Sequence, residues 1–370
     1  MKDFDVVIVG AGTAGLMLAR EFGKFRRKTL LIDRKDNLLE FSFNTLGSFI
    51  NLNDFDLTEN IIAQKINTCV FHSRYIKRKI KCEAYILDKK KVHEELLAAI
   101  DTNYVTTILN VNIKDIKKDD SSNFISVIDS NKNEYFGKIF IDASGTNGVI
   151  SKNVGLRAKK VDLATGVEYN VKYHGSANEA HLLVGKVYQG GYGWIFPLKN
   201  QRAIIGFGTF DKTVVKDLKN RLNDIINLPK IKKLVTKDNE LVEGGSIPLT
   251  PVLDKFVLNN LVCVGDSVSQ VNPIVGEGYK FIFEAAIMAA NAINKSISNN
   301  NLSFLTEYES VWKKRFFANY SRSKKSQKKL FKYSQNDFLM DFAFIMMKLR
   351  SEESIIRSLS GEYGLDKIEE

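Results

Sequence analysis

Gly10-Ala11-Gly12-Thr13-Ala14-Gly15 decides the reading of this chain, because of what stands on either side of it. Before it runs Asp5-Val6-Val7-Ile8-Val9, a short apolar stretch of the kind buried in a parallel sheet. After it, Leu16 to Phe25 continues as a helix, and Thr29-Leu30-Leu31-Ile32 forms a second strand that ends on Asp33. A G-x-G-x-x-G turn between strand and helix, with an acid 18 residues beyond Gly15, is the fingerprint of a dinucleotide site. Gly10 permits the tight turn, Gly12 admits a pyrophosphate without a Cβ in the way, and Gly15 lets the helix lie close on the strand. The phosphates then meet unpaired N–H groups at the helix N-terminus, where the dipole favours anions. Asp33 accepts hydrogen bonds from a ribose hydroxyl and disfavours a 2′-phosphate. Ala14 and Arg34 flank these positions and belong to the same candidate site.

At 370 residues the chain is long for one domain and comfortable for two. With 44% hydrophobic and 26% charged residues it has the composition of a soluble globular protein. Cys69, Cys82 and Cys263 are too few and too scattered for a disulfide framework or a zinc site. Lys2 and Asp3 lead directly into the first strand, which reads as a start without a signal peptide. The longest apolar stretch, Phe338 to Leu349, carries Asp341 and Lys348 and is too short to span a bilayer. A formal charge of +11 is concentrated late in the chain: nine Lys or Arg and no acid lie between Lys313 and Lys332. Trp312, Phe316 and Tyr320 recur there every four residues, marking one apolar helical face. Such a run reads first as a solvated helix face and second as contact with an anionic membrane surface, on a protein expected in the cytoplasm. Nucleic acid is not.

Further along, strands are expected at Thr68–His72 and Glu83–Leu87, a helix at Lys91–Ile100, and strands around 108–111, 124–128 and 138–141. Thr165 to Leu249 reads as antiparallel sheet with one helix near 214–226. Val257 to Val264 returns to a buried strand, Gly278 to Ile293 is a helix, and Asn299-Asn300-Asn301 links the core to a helical end.

A second glycine corner closes the argument. Leu261-Val262-Cys263-Val264-Gly265-Asp266 is a strand ending in Gly-Asp, followed by Asn272-Pro273-Ile274-Val275-Gly276-Glu277-Gly278 and a long helix. With Ile139-Phe140-Ile141-Asp142-Ala143-Ser144-Gly145, these segments resemble the flavoproteins typified by p-hydroxybenzoate hydroxylase. The resemblance implies FAD, with Asp266 on the ribityl chain and the Pro273–Gly276 loop against the isoalloxazine. A glycine-rich helix N-terminus also suits the negative charge that reduced flavin carries near N1 and O2. Tyr192-Gly193-Trp194-Ile195-Phe196-Pro197 then resembles the Pro-x-x-Tyr-x-Trp-x-Phe-Pro signature of the geranylgeranyl reductase family, with Gln189 where the signature has its first proline. On a strand, Tyr192, Trp194 and Phe196 share one face, able to wall an apolar tunnel for a polyprenyl chain or to pack a core.

That resemblance covers about residues 4–295. It implies an α/β fold: a Rossmann-type FAD-binding domain (1–66, 88–164 and 250–298) and an inserted antiparallel-sheet substrate domain (67–87 and 165–249), while the pattern of the remaining residues gives a C-terminal helical region (299–370). It also places Gly15, Asp33, Asn44, Thr45, Gly47, Lys89, Val111, Asp266, Gly278 and Tyr279 near FAD. Asn44-Thr45-Leu46-Gly47 stands where the family has a cysteine-containing segment, and Lys89 where it has a flavin-contacting arginine. The implied activity is saturation of isoprenoid C=C bonds in a hydrophobic or lipid substrate by a monomer. Electrons come from NAD(P)H or a ferredoxin-like protein, since no second G-x-G-x-x-G exists. No metal is expected, and no proton donor is assigned. The four histidines read as structural or exposed. A flavin monooxygenase, a halogenase, and a flavin-binding or membrane-surface protein without turnover are the rival readings.

Overall fold

In the computed structural model, residues 4–157, 161–239, 241–248 and 252–362 are described. Two sheets organise them. The first runs, in spatial order, through Val257–Leu258, Leu261–Cys263, Glu134–Asp142, Phe4–Val9, Thr29–Ile32 and Val105–Ile108. All but the first of these strands are parallel, and the fully buried Val6, Val7, Ile8, Leu30, Leu31 and Ile141 are the apolar runs that such a two-sided sheet demands. Ile113–Lys118 and Phe124–Asp129 extend it as an antiparallel hairpin onto Glu134–Asp142.

The helices Thr13–Lys24 and Tyr279–Ser298 pack on each other, and the first also packs on the central strand Phe4–Val9. The second is Ala-rich, and its buried Ala285, Ala286, Ala289 and Ala290 allow that close approach. The apolar stripe of the long Thr306–Tyr333 helix then closes the core: Trp312 and Phe316 are fully buried, with Trp312 edge-on to Phe256 and Phe316 against Phe281. Burying each such side chain contributes roughly 1.5–3 kcal/mol.

The second sheet has nine strands, ordered Val235–Thr236, Leu163–Tyr173, Arg202–Thr209, Gly191–Leu198, Glu179–Leu183, Ile62–His72, Lys77–Asp88 and Thr45–Ser48, with Glu243–Pro248 also on Leu163–Tyr173. Its strands reach further back in sequence than the patterning suggested, beginning at Thr45 and Ile62. One pairing departs from the antiparallel expectation: Glu179–Leu183 runs parallel to Ile62–His72, because the two belong to distant segments rather than one hairpin. The expected single strand at 257–264 is instead a hairpin turning at Asn259, which has φ +53°. The expected helix near 214–226 is split into Lys212–Val215 and Leu218–Ile226. Leu218, Leu222 and Ile225 of the latter cover one face of the second sheet over Tyr169, Ile205 and Phe207. The opposite face is left to the site.

Candidate functional site

The three glycines of the fingerprint have three different reasons to be glycine. Gly10 has φ +105°, and a Cβ there would stand 2.4 Å from the Ala143 carbonyl oxygen; a Cβ on Gly15 would stand 1.8 Å from that of Gly10. Both hold the helix, the first strand and the 139–145 segment together. Gly12 has nothing within 4 Å of its Cβ position. That space is open on the outside of the turn, where an anion would approach.

Asp33 is fixed beside it. Its Oδ2 accepts the Ala11 N–H at 2.6 Å and its Oδ1 the Lys35 N–H at 2.8 Å, while Val111 N–H donates to the Asp33 carbonyl. Ala14 is buried and Arg34 exposed. The Thr13–Lys24 helix has no side-chain cap at its N-terminus, and neither has Tyr279–Ser298, whose N-cap is Gly278. Two uncapped helix N-termini therefore border one region, each with unsatisfied N–H groups and the positive end of a dipole. The two glycine corners meet there: a Cβ on Gly265 would stand 3.3 Å from that of Ala14.

Thr13, Thr45, Gly47, Lys89, Asp266, Pro273, Gly276, Gly278 and Tyr279 all line one cavity of ≈ 300 Å³, and Tyr192, Trp194 and Phe196 form its opposite wall. Along Gly191–Leu198 exposure alternates strictly, so the three aromatics share a face, with ring centroids 5.9 Å (Tyr192–Trp194) and 6.4 Å (Trp194–Phe196) apart. Tyr192 donates its hydroxyl to the Val275 carbonyl, fastening this wall to the Pro273–Gly276 loop.

Trp194 has room because its neighbour on the Arg202–Thr209 strand, Gly206, has no side chain. Trp194, Gly206 and Glu168 are paired in one row across three strands, and Tyr192, Gly208 and Gly166 in the next. The indole crosses this glycine trough, and its Nε1–H donates to Glu168 Oε2 at 3.1 Å. Glu168 is buried and lines the cavity, and its Oε1 has no partner. Burial, reinforced by neighbouring Glu243, pushes its pKa up to about 8 against the bond from Trp194 and the attraction of Lys89. The carboxyl therefore holds its proton at neutral pH.

The remaining charges have different settings. Burial pushes Asp266 up to about 6, opposed by Arg157 and Lys89. Burial and the nearby Lys35 ammonium lower Lys89 to about 8, and its Nζ lies 3.8 Å from the Phe43 ring centroid. Glu277, raised by burial to about 7, takes the Ser48 hydroxyl and the Phe49 N–H on Oε1, tying Thr45–Ser48 to the glycine loop. Asn44 faces elsewhere: its backbone and side-chain N–H groups both bond the Glu243 carboxylate. Of the histidines, His93 bonds Thr13 Oγ1, while buried His181 sits between Tyr173 and His72.

Glu168, Phe43 and Thr13 belong to the site and were missed in the sequence. The available signal was Gly206-Phe207-Gly208: two glycines on one strand face announce a large neighbour above them, and the acid lies one strand further on. Among the described residues no group of His, Cys, Asp and Glu could hold a metal ion.

The model for the family described as lycopene cyclase protein matches residues 5–348. A digeranylgeranylglycerophospholipid reductase of Methanococcus aeolicus is 26% identical over 360 residues, covering 91% of this chain and 88% of that protein. One of Thermoplasma volcanium is 24% identical, with 98% and 97% covered. Among solved structures, a geranylgeranyl bacteriochlorophyll reductase-like protein from Thermoplasma acidophilum superposes with a TM-score of 0.83 at 22% identity, over 100% of this chain and 98% of that one. The flavin-dependent brominase Bmp2 superposes with a TM-score of 0.76 at 17% identity, over 97% and 94%. The fold is shared with a bacteriochlorophyll reductase-like protein and a flavin-dependent brominase, and with its reductase relatives the chain is an enzyme of the oxidoreductase class.

Proposed function

The chain belongs to the lycopene cyclase protein family, and from that premise we propose that it is an FAD-dependent reductase that saturates C=C bonds of a polyprenyl chain. The observation that carries the reading is the aromatic wall of Tyr192, Trp194 and Phe196 facing the second glycine corner across one cavity. The names of the reductase relatives support it.

The residues fit FAD. The open side of Gly12 and the uncapped Thr13–Lys24 helix suit the pyrophosphate, and Asp33 suits the ribose. Asp266, Lys89 and the buried, unpartnered Thr45 hydroxyl suit the ribityl and ring end. Held there in its reduced form, FAD would supply the hydride for one alkene carbon.

What the chain adds is position, dryness and a proton. An unactivated alkene accepts hydride poorly, so holding it close in a water-excluded site supplies much of the acceleration. Tyr192, Trp194 and Phe196 hold the chain by apolar contact. Glu168 delivers the proton to the second carbon: the Trp194 N–H on Oε2 favours the acidic hydrogen on Oε1, the oxygen left without a partner. The carboxylate formed is then re-protonated from solvent. Electrons enter from transiently bound NAD(P)H or from a small ferredoxin-like protein.

The test is incubation with a chemical reductant and polyprenyl substrates of several lengths, read by mass spectrometry. The reading expects products heavier by two hydrogens per reduced bond. Products carrying oxygen or halide would replace it with the monooxygenase or halogenase reading, which the likeness to a brominase keeps open.

A further inference from the structure

The Asp337–Met347 helix is apolar on both of its long sides. Met340 and Phe344 are buried against Cys69, Phe71 and Ile80 of the second sheet. Phe338, Leu339, Phe342, Ile345 and Met346 are exposed, and so is Leu349 just beyond; Phe338 and Leu349 are 77% and 78% exposed. At helical spacing these six fall on one arc of about a third of the circumference. Folding of the chain on itself does not account for such a stripe.

The exposed charges around it are mostly basic, with Glu352 and Glu353 the acids that follow. The preceding helix, packed against this one, exposes Lys325, Lys328, Lys329 and Lys332, and Lys348 and Arg350 follow. The two acids on the apolar helix are turned to the protein: Asp337 pairs with Arg74 and accepts the Lys186 N–H, and buried Asp341 accepts from Ser73 and Tyr75. On the protein side of this helix, opposite the stripe, lies a second cavity of ≈ 430 Å³, lined by Phe344 and Met347 and bordered by the exposed Arg322 and Arg350. Its inner wall is Tyr192, Ile274 and Val275, which also line the first cavity.

We propose that the exposed face of residues 338–349 is a docking surface for an anionic lipid bilayer, lying in the interface with basic residues on the headgroups. The inference rests on the function proposed above only in giving the surface a reason to exist, namely a substrate dissolved in lipid. Among the described residues no helix is long and apolar enough to cross a membrane, so the helix lies on the bilayer rather than through it. A second copy of the chain fits the stripe less well, since a symmetric pair would bring two lysine-rich borders together.

The experiment is co-sedimentation of the flavin-loaded full chain with phosphatidylcholine vesicles, with and without phosphatidylglycerol. Binding is expected with phosphatidylglycerol, weak without it, and falling as salt rises. Phe338→Ser/Phe342→Ser/Leu349→Ser should weaken partitioning at least tenfold while keeping flavin content and turnover of detergent-dispersed substrate. Lys325→Glu/Lys329→Glu, which leaves packing untouched, should weaken it for anionic vesicles alone. Wild-type protein that stays in the supernatant, or serine variants that bind as wild type, would overturn the proposal. So would a wild-type dimer that the serine variant dissociates without change in vesicle binding. A chain that binds vesicles and reduces no isoprenoid would instead sink the proposed reaction and leave the docking surface standing.

Discussion

The indole of Trp194 fills the space that any side chain at Gly206 would need: a Cβ built on Gly206 would stand 2.2 Å from the ring. The same indole lies 3.1 Å from a Cβ position on Gly166 and 3.3 Å from one on Gly208, so three glycines form its bed. Gly206→Val should lift the ring into the cavity. Because a misplacement of about 1 Å costs on the order of 10²-fold in rate, turnover should fall about that much with flavin content unchanged. Trp194→Ala should likewise impair turnover more than flavin binding. Equal loss of both would show that these residues only pack the second sheet.

Substitutions at Gly12 and Gly10 should separate cofactor binding from folding. Gly12→Ala meets nothing in the protein, so its flavin-free stability should stay within about 0.5 kcal/mol of wild type while flavin affinity drops. Gly10→Ala strains a positive φ and collides with Ala143, and should lose roughly 1–3 kcal/mol of stability. Thermal unfolding with and without added FAD distinguishes the two.

Asp266→Ala should weaken flavin binding about tenfold or more, the loss expected of one charged hydrogen bond. Absorbance of the purified protein in the flavin band, against its 280 nm absorbance, reads this. Full flavin content would remove Asp266 from the cofactor site.

In the proposed reaction Glu168 ties activity to pH. Its pKa is raised from 4.5 to about 8, so the donor is protonated below that value and the rate of proton delivery should fall as pH rises through about 8. Stability follows the same sign: the folded chain binds more protons than the unfolded one between 4.5 and about 8, so this group's contribution is lost as pH rises through that window. Glu168→Gln should abolish turnover, keep flavin, and flatten this part of the stability–pH curve. Glu277→Gln, which alters a carboxyl already holding Ser48 and Phe49, should change stability more than the pH profile of turnover.

Local signals carried much of this in the sequence. The fingerprint at 10–15 and the Gly265-Asp266 corner are short, and each states its own geometry, so strand, turn and helix were legible directly. Alternation likewise put Tyr192, Trp194 and Phe196 on one face. What could not be read was pairing across distance. Nothing in Leu163–Tyr173 announces that Glu168 lies across Gly206 from Trp194, or that Glu179–Leu183 aligns parallel to Ile62–His72. The stripe at 338–349 was visible as an apolar run, but which half of it faced the protein depended on where Phe71 and Ile80 stood.

The most direct measurement is anaerobic: pre-reduce the purified protein, mix it with a polyprenyl substrate under strict exclusion of oxygen, and follow the flavin band. The oxidised band is expected to return, with one saturated bond formed per flavin reoxidised. Flavin that stays reduced until oxygen is admitted, and then yields peroxide or an oxygenated product, would contradict the proposed reaction.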